Sequence, residues 1–231
     1  MLDISRIQAI TLDLDDTLWP VWPTIHRAEA HLQQWLKPKA PATSALFADL
    51  ALRKVLRDQV HQNWPGHHHD LSLMRLEMIR LGLMQSGEDA ALAEPAFAEF
   101  FAARQDVHLF DDALPALQAL SARWPVLAVS NGNADVQRIG IGHYFCGSVS
   151  AKEAGMAKPH AGIFLAAADR LQVPPQSVLH VGDDAAMDVL GAAAVHMQTV
   201  WVNREAHAWS HAVCPDISVT SMAELCSQLG L

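Results

Sequence analysis

An apolar run that ends in three carboxylates is the feature of this sequence that most constrains its fold. The run begins at Ile7, is interrupted only by Gln8 and Thr11, and leads into Asp13-Leu14-Asp15-Asp16-Thr17. A continuous apolar run of this length predicts a strand of a parallel sheet that is buried on both faces. In open α/β sheets, ligands bind beyond the carboxyl ends of the strands. We therefore expect these acids to lie at a binding crevice.

Two later apolar stretches also end in polar clusters. The predicted strand Pro125–Ser130 leads into Ser130-Asn131-Gly132, and the predicted strand Ser177–Val181 leads into Gly182-Asp183-Asp184. Each cluster alone is also typical of a turn or a helix N-cap. Further strands are predicted around 147–150 and 198–203, with helices between them. This alternation predicts an α/β fold with a parallel sheet, which brings the three clusters to one edge.

The stretch between the first two strands contains only helical patterns. Apolar residues recur at helical spacing in four predicted helices. The first begins near Thr24, and the other three cover about 44–63, 71–84 and 88–104. Breaks at Pro38, Pro41 and Trp64-Pro65-Gly66 separate them. We therefore predict a catalytic core formed by residues 1–19 and 106–231, and a helical lid, or cap, formed by residues 20–105.

Composition narrows the classes of partner. The 231 residues carry a formal charge of −9 and contain no basic cluster, which argues against nucleic-acid binding. Three dispersed cysteines favour a reducing compartment, and neither a membrane-spanning run nor a signal peptide is evident. We expect a cytoplasmic protein whose partner is a small molecule, with no nucleic acid and no membrane. An anionic substrate remains compatible, because a metal ion and one or two cations can reverse the field locally.

The polar clusters carry complementary chemistry. Asp13 is a candidate nucleophile toward phosphorus, because a carboxylate can form an acyl-phosphate intermediate. Asp13 and Asp183 offer hard oxygen ligands to Mg²⁺, and Lys158 offers a positive charge to the transferring phosphoryl group. Ser130 and the Asn131 amide can donate hydrogen bonds to phosphoryl oxygens.

Asp15 lies two residues after Asp13 and suits a second role. A carboxyl group there can protonate the leaving oxygen and later accept a proton from the attacking water. Asp16 has no assigned chemistry and is expected to serve the turn.

Together these motifs resemble the haloacid dehalogenase superfamily, and the match covers the whole chain. The motifs are Asp13 to Thr17, the strand-terminal Ser130, Lys158 before a helix, and Gly182-Asp183 to Asp188. The resemblance implies a Rossmann-like doubly wound core, a phosphatase with an aspartyl-phosphate intermediate, and Mg²⁺ held by Asp13, the Asp15 carbonyl and Asp183. It implies that Asp188 contacts the metal ligands or a metal-bound water rather than the metal itself, and Asp184 is a candidate for an additional acid outside the direct ligands.

The insertion matches the position of the helical cap in this superfamily. Within it, His69-Asp70-Leu71-Ser72 followed by Arg75 is similar to a cap segment of bacterial phosphatases that act on flavin mononucleotide and on the phosphorylated ribityl-pyrimidine precursor of riboflavin. His69 and Arg75 are therefore candidate substrate contacts, and the alternative for Arg75 is a surface ion pair. The run His67–His69 is expected to be a solvated loop or helix start. An apolar core role is expected for Trp19, Trp22 and Trp64, and the alternative is that they line an aromatic pocket.

Three alternatives to a phosphomonoester hydrolase remain at this point. A 2-haloacid dehalogenase needs the nucleophile but neither Mg²⁺ nor the acid at Asp15. A phosphomutase shares the first chemical step and differs only in the acceptor. A protein that only binds a phosphometabolite would keep the fold without turnover. The motifs do not identify the substrate or the oligomeric state.

Overall fold

The computed structural model describes residues 2–231 and divides into two compact units. One unit comprises the N-terminal residues through Pro20 together with His108–Leu231, and the other is Val21–Val107. The first is an α/β unit with a six-stranded parallel sheet, and the second is helical. The predicted fold class, a Rossmann-like α/β core with an inserted all-helical unit, is confirmed. The assignment of the two units as catalytic core and cap remains a prediction.

Five α-helices form the inserted unit. They are α1 (Val21–Leu36), α2 (Pro41–Ala48), α3 (Leu50–Asn63), α4 (Leu71–Gln85) and α5 (Ala93–Arg104). Helix α1 packs against α5, and α4 packs against both α3 and α5. Their apolar faces enclose a buried core that includes Leu32, Leu36, Phe47, Leu56 and Leu83. Burial of such side chains stabilises each by about 1.5–3 kcal/mol relative to exposure.

Two predicted helix boundaries in this unit are wrong. The predicted single helix over 44–63 is two helices, because the chain breaks at Asp49. The Asp49 carboxylate accepts hydrogen bonds from the main-chain N–H groups of Ala51 (2.8 Å) and Leu52 (3.1 Å) and so caps α3. Helix α1 begins at Val21 rather than near Thr24, since proline is tolerated in a first helical turn, where Pro23 lies.

The sheet of the α/β unit places β1 at its centre. The strands are β1 (Ala9–Leu12), β2 (Val126–Ser130), β3 (Gly147–Ser150), β4 (Val178–Gly182), β5 (Gln198–Val202) and β6 (Ile217–Val219). Their order is β3-β2-β1-β4-β5-β6, and Ile10 of β1 lies opposite both Val126 and Leu179. Strands β1, β2, β4 and β5 are buried throughout, as expected when helices cover both faces. The polar segments after β1, β2 and β4 therefore meet at one edge of the sheet.

Helices connect these strands and complete the unit. They are α6 (Ala113–Arg123), α7 (Val136–Ile139), α8 (Ala151–Ala154), α9 (Ala161–Leu171), α10 (Gly191–Ala193) and α11 (Met222–Gln228). A π-helical segment, Ala185–Leu190, follows β4 and carries Asp188. The sequence analysis predicted helices between the strands but not this π-helical geometry, and it did not predict β6. Within residues 2–231, no helix combines the length and apolar character that a membrane span requires.

Candidate active site

Three strands of the α/β unit deliver polar side chains to a pocket of about 170 Å³. The pocket is lined by every residue of the α/β unit to which the sequence analysis gave a catalytic, phosphate-binding or metal-binding role. Its lining residues are Asp13, Asp15, Asp16, Ser130, Asn131, Gly132, Lys158, Asp183, Asp184, Met187 and Asp188. The parallel topology brings these residues together from positions up to 175 apart in the sequence (188 − 13).

Lys158 is buried between two carboxylates. Its Nζ donates to Oδ1 of Asp13 at 2.5 Å and to Oδ1 of Asp188 at 2.6 Å. Burial opposes the positive charge, but the carboxylates of Asp13 and Asp188 outweigh burial and hold the pKa of Lys158 above its ordinary value. The pocket therefore contains a fixed ammonium group beside the carboxylate of Asp13.

The acids of the pocket are not fully compensated by this one cation. Burial raises the pKa of Asp13 well above its ordinary value, and Asp188 and Asp183 add to that rise while Lys158 opposes it. Burial, followed by repulsion from Asp188, raises the pKa of Asp183 to about 7. The Thr17 hydroxyl lies 3.2 Å from Oδ2 of Asp13 and 2.9 Å from Oδ1 of Asp183, and its single proton serves one of them at a time.

The donor set in this pocket fits a hard divalent cation. One oxygen from each of Asp13, Asp183 and Asp188 lies within 4.8 Å of the other two. Carboxylate oxygens are the ligands that Mg²⁺ prefers, and a cation would relieve the repulsion that raises the pKa values of Asp13 and Asp183. Both oxygens of Asp188 already accept hydrogen bonds from protein groups. Oδ2 of Asp13 and Oδ1 of Asp183, by contrast, share the single proton of Thr17, so Asp13 and Asp183 are the better-placed side-chain ligands.

His180 is a site residue that the sequence analysis missed. It is fully buried in β4, where Nε2 lies 3.0 Å from Oδ1 of Asp188 and Nδ1 lies 2.9 Å from Oγ1 of Thr11. Burial lowers the pKa of His180, so the ring is neutral at neutral pH and carries one proton. Because the Asp188 carboxylate only accepts, that proton is on Nε2, and Nδ1 accepts from Thr11. The available signal was a histidine inside an apolar strand, three residues before Asp183.

The turn after β4 is shaped by the approach of Asp188 to the strand. A Cβ atom at Gly182 would overlap the carboxyl group of Asp188, so a glycine is required there for close contact. Asp184, the candidate outer-shell acid, caps the π-helical segment. Its Oδ1 accepts from the main-chain N–H groups of Ala186 and Met187, both at 2.8 Å. Trp201 of β5 donates through Nε1 to the main-chain oxygen of Asp183 at 2.7 Å, a contact that the sequence did not reveal.

Asp15 accepts a hydrogen bond from an indole. Trp19 Nε1 donates to Oδ1 of Asp15 at 2.8 Å, and Trp19 itself is fully buried. The expectation of a purely apolar core role for Trp19 therefore misses its polar function. Asp16 has a φ of 60°, and its N–H donates to the carbonyl of Trp19 at 2.7 Å. Asp16 closes the turn, in the left-handed conformation that Asp tolerates better than most residues.

Ser130 and Asn131 differ in what their side chains already contact. The Ser130 hydroxyl oxygen accepts from the N–H of Gly132 at 2.9 Å. The Asn131 side chain makes two hydrogen bonds with the backbone of Lys158. Its Nδ2 donates to the Lys158 carbonyl (3.0 Å), and its Oδ1 accepts from the Lys158 N–H (2.7 Å). In this arrangement the Asn131 side chain positions Lys158.

The comparison with known families decides the classification. Residues 7–196 match the family described as haloacid dehalogenase-like hydrolase. The chain belongs to this family.

The curated relatives of this HAD-like hydrolase include phosphatases. The 5-amino-6-(5-phospho-D-ribitylamino)uracil phosphatase of Escherichia coli is 32% identical over 97% of each chain. The glyceraldehyde 3-phosphate phosphatase of Methanopyrus kandleri is 30% identical over 86% of this chain and 84% of its own. The chain is accordingly a hydrolase of the phosphatase type.

Solved structures agree on the fold and differ in the activity that their descriptions state. A structure described as a 2-haloacid dehalogenase from Pseudomonas syringae pv. Tomato superposes with a TM-score of 0.91, at 32% identity over 97% of this chain and 98% of that one. A HAD phosphatase from Thermococcus onnurineus superposes with a TM-score of 0.70 at 22% identity, over 97% of this chain and 98% of that one. The second likeness shows the fold alone.

In the helical unit of this HAD-like hydrolase, only one of the two candidate substrate contacts, Arg75 and His69, lines a pocket described here. Arg75 on α4 lines a second pocket and pairs with Glu29, and the pair is largely buried rather than on the surface. His69 lies before α4, with its ring stacked on His67 at 6.4 Å, and is not among the residues that line this pocket. Asp70 caps α4, so the His67–His69 run is a loop before a helix, as expected.

The burial of one tryptophan of this unit differs from the expected burial. Trp22 was expected in the core but is 66% exposed and lines the pocket that contains Arg75. Trp64 is half-buried and packs against the apolar core of the unit. The exposed Trp22 is thus available to a ligand.

Proposed function

We propose that this chain is a Mg²⁺-dependent phosphomonoester hydrolase that acts on a small metabolite through an aspartyl-phosphate on Asp13. The observation that carries the proposal is the convergence of Asp13, Asp15, Lys158 and Asp183 on one pocket. Asp13 and Asp183, with the main-chain carbonyl of Asp15, would hold the metal. When bound, Mg²⁺ supplies charge neutralisation and polarises the phosphoryl group.

In the first chemical step, each side chain of the pocket has a separate role. Asp13 in its ionised form, which Lys158 favours and a bound cation would favour further, attacks phosphorus, and a new oxygen–phosphorus bond forms as the bond from phosphorus to the ester oxygen breaks. Asp15 in its protonated form donates its proton to the departing oxygen. Lys158 holds a positive charge beside the phosphoryl oxygens, and the Ser130 hydroxyl and the Asn131 main-chain N–H donate hydrogen bonds to them.

The second step regenerates the enzyme. The Asp15 carboxylate accepts a proton from a water molecule, which attacks phosphorus and breaks the bond between phosphorus and the Asp13 oxygen. Inorganic phosphate leaves, Asp13 is again a carboxylate, and Asp15 is again protonated. Trp19 keeps Asp15 in place for both proton transfers.

Substrate identity is a finer proposal. The likeness of the segment around His69 and Arg75 to a cap segment of riboflavin-pathway phosphatases, together with the E. coli relative, makes phosphorylated ribityl-pyrimidine and flavin mononucleotide the first substrates to test. Sugar phosphates and phosphoglycolate complete the panel of test substrates.

The proposal is tested by measuring phosphate release from this panel with and without Mg²⁺, with Asp13→Asn as the blank. We expect phosphate release that needs both Mg²⁺ and Asp13. Inertness toward every phosphoester would favour a binding module, and transfer of the phosphoryl group to a second hydroxyl instead of water would favour a mutase. Either result overturns the proposal.

The similarity to a structure described as a dehalogenase makes one rival worth a direct test. A halide ion leaves without protonation, so a dehalogenase has no use for an indole-held Asp15 or for the acid pair Asp183 and Asp188. We expect no halide release from 2-haloacids in the absence of metal. Halide release combined with inertness toward phosphoesters would establish the rival.

A further inference from the structure

The main chain after Asp13 is held by two residues outside the pocket. Thr17 and Leu18 are fully buried. The carbonyl of Thr17 accepts a hydrogen bond from Nη2 of Arg204 at 3.0 Å. The carbonyl of Leu18 accepts one from the N–H of Phe110 at 2.9 Å. Neither Arg204 nor Phe110 lines the pocket around Asp13, so this turn depends on residues to which the sequence motifs give no role.

Further contacts fix the guanidinium group of Arg204. Nη1 and Nη2 donate to the two carboxylate oxygens of Asp112, at 3.2 and 3.1 Å, and so form a bidentate pair. The guanidinium also lies over the ring of Phe110, 4.0 Å from its centroid. Asp112 is held in turn, because its Oδ2 accepts from the N–H of Met222 at 2.7 Å. A planar fork with a bidentate partner has a defined orientation, so Nη2 is aimed at the carbonyl of Thr17.

The backbone at Arg204 is fixed by the residue before it. The N–H of Asn203 donates to the carbonyl of Val219, the last residue of β6, at 2.7 Å. The Asn203 side chain closes the loop that follows, since Oδ1 accepts from the N–H of His207 and Nδ2 donates to the His207 carbonyl, both at 2.9 Å. The Arg204 side chain therefore extends from a fixed point at the end of β5 to the turn after β1.

Thr17 connects this contact to the acids of the pocket. Its hydroxyl lies 3.2 Å from Oδ2 of Asp13 and 2.9 Å from Oδ1 of Asp183. Because a β-branched side chain has few χ1 rotamers, the position of the hydroxyl follows the backbone of Thr17. Arg204 holds that backbone, so it influences both acids through one buried residue.

We propose that Arg204 is a positioning residue for the metal-binding acids. By holding the carbonyl of Thr17, it places the Thr17 hydroxyl between Asp13 and Asp183. The inference rests on the proposed function, in which these two carboxylates hold Mg²⁺. Groups that orient metal ligands without touching the metal typically change its affinity by about 10- to 100-fold when they are lost. Arg204 acts one contact further away, so we expect an effect at the lower end of this range.

Arg123 provides a control for Arg204. Its guanidinium lies over the ring of Trp124, 4.4 Å from the centroid, and its Nη1 donates to the carbonyl of Leu229 at 3.0 Å. The two arginines thus share two kinds of contact, one with an aromatic ring and one with a main-chain carbonyl. Neither Trp124 nor Leu229 lines the pocket around Asp13. Replacement of either arginine by lysine keeps the positive charge and removes the planar fork.

The test is calorimetric titration of the full chain and its variants with Mg²⁺, which needs no turnover. Thermal unfolding first establishes that each variant is folded. We expect Arg204→Lys to bind Mg²⁺ about tenfold more weakly than the unmodified chain, and Arg123→Lys to bind it equally well. If Arg204→Lys does not fold, Asp112→Asn takes its place, because it breaks the fork from the other side, and the same direction of change is expected.

A double-mutant cycle shows whether Arg204 acts through Thr17. Thr17→Val removes the hydroxyl at nearly constant size, so Arg204→Lys should weaken Mg²⁺ binding no further in that background. An undiminished effect of Arg204→Lys there, or equal Mg²⁺ affinities of Arg204→Lys and Arg123→Lys, would overturn the role of Arg204 and leave the proposed function intact. A lack of Mg²⁺ binding by the unmodified chain would overturn both.

Discussion

A neutral histidine fixes the carboxylate that holds Lys158. The chain of contacts runs from Thr11 through His180 to Asp188, and from Asp188 to Lys158. All four side chains are buried, so water cannot replace a lost hydrogen bond. His180 is therefore expected to act as a positioning residue for the charge beside Asp13.

Two substitutions of His180 separate its two hydrogen bonds. In His180→Gln, the amide nitrogen can reach the position of Nε2 and donate to Asp188, whereas in His180→Asn the amide reaches only the position of Nδ1. We expect His180→Asn to lower kcat about tenfold or more relative to His180→Gln, with KM similar in the two, because only Gln keeps Asp188 aligned. Steady-state kinetics with both folded variants makes the comparison. Equal losses of kcat would show that His180 matters for packing alone.

Trp19 provides a second prediction at this scale. Trp19→Phe removes the donor to Asp15 and should lower kcat, because the proton-transfer group loses its orientation. Trp124→Phe is the control, since the buried Trp124 Nε1 donates to the carbonyl of Ile7 at 3.0 Å. Each variant should lose about 1–3 kcal/mol of unfolding free energy. Only Trp19→Phe should also lose turnover per folded enzyme, and an equal loss of turnover in both would contradict the role given to Trp19.

At the scale of elements, the turn after β4 depends on close approach of the chain to itself. Gly182→Ala would place a methyl group against the carboxyl group of Asp188 and push it from Lys158 and His180. We expect about 1–3 kcal/mol of destabilisation from overpacking, together with loss of most activity. Denaturant unfolding and kcat measure the two effects.

Gly147→Ala is the control for this substitution. A Cβ at Gly147 on the edge strand β3 would lie 3.3 Å from the Leu127 side chain, so a small movement can accommodate it. Its activity should be close to that of the unmodified protein. An active, stable Gly182→Ala protein would show that the position of Asp188 is less constrained than the structure indicates.

The elements that the sequence predicts well are those with a strong local signal. Strands β1, β2 and β4 are largely apolar runs, and parallel topology then places the polar residues at their carboxyl ends together. Short β6 has only three residues, and its pairing with β5 is a long-range contact that no local pattern reveals. The break at Asp49 depends on a side-chain cap that competes with a helical pattern extending across it.

The candidate site shows the same division between local and long-range information. Motif residues such as Asp13, Lys158 and Asp183 could be found from type and order along the chain. The donors that position them, such as His180 and Trp201, lie on neighbouring strands or in apolar contexts where the sequence gives no sign of their partners. The burial of Trp22 was predicted wrongly, because an aromatic residue at helical spacing gives the same sequence pattern whether that face of the helix is buried or exposed.

At the scale of the whole molecule, protonation and metal binding are coupled. The pKa of Asp183 is about 7 without metal, since burial and Asp188 disfavour its charge. Its carboxyl therefore binds a proton in the folded state that it would release when unfolded. The metal-free protein should lose this contribution to stability as the pH rises from the ordinary carboxyl range through about 7, and Mg²⁺ should restore it.

The same coupling predicts how Mg²⁺ affinity depends on pH. Below about pH 7 a proton competes with Mg²⁺ for Asp183, so the apparent affinity should fall about tenfold per pH unit if one proton is displaced. Calorimetric titration of the protein with Mg²⁺ between about pH 5.5 and 8 tests this, and an affinity that is constant over the range would contradict it.

The central claim is that Asp13 is phosphorylated and that Asp15 handles both protons. The direct test is Asp15→Asn with 4-nitrophenyl phosphate and Mg²⁺, because nitrophenolate leaves without needing a proton. We predict a burst of one nitrophenolate per enzyme, followed by a stall, with one phosphoryl group found on the peptide that contains Asp13 after acid quench. Steady turnover without a burst, or a phosphoryl group on any other residue, would contradict the account.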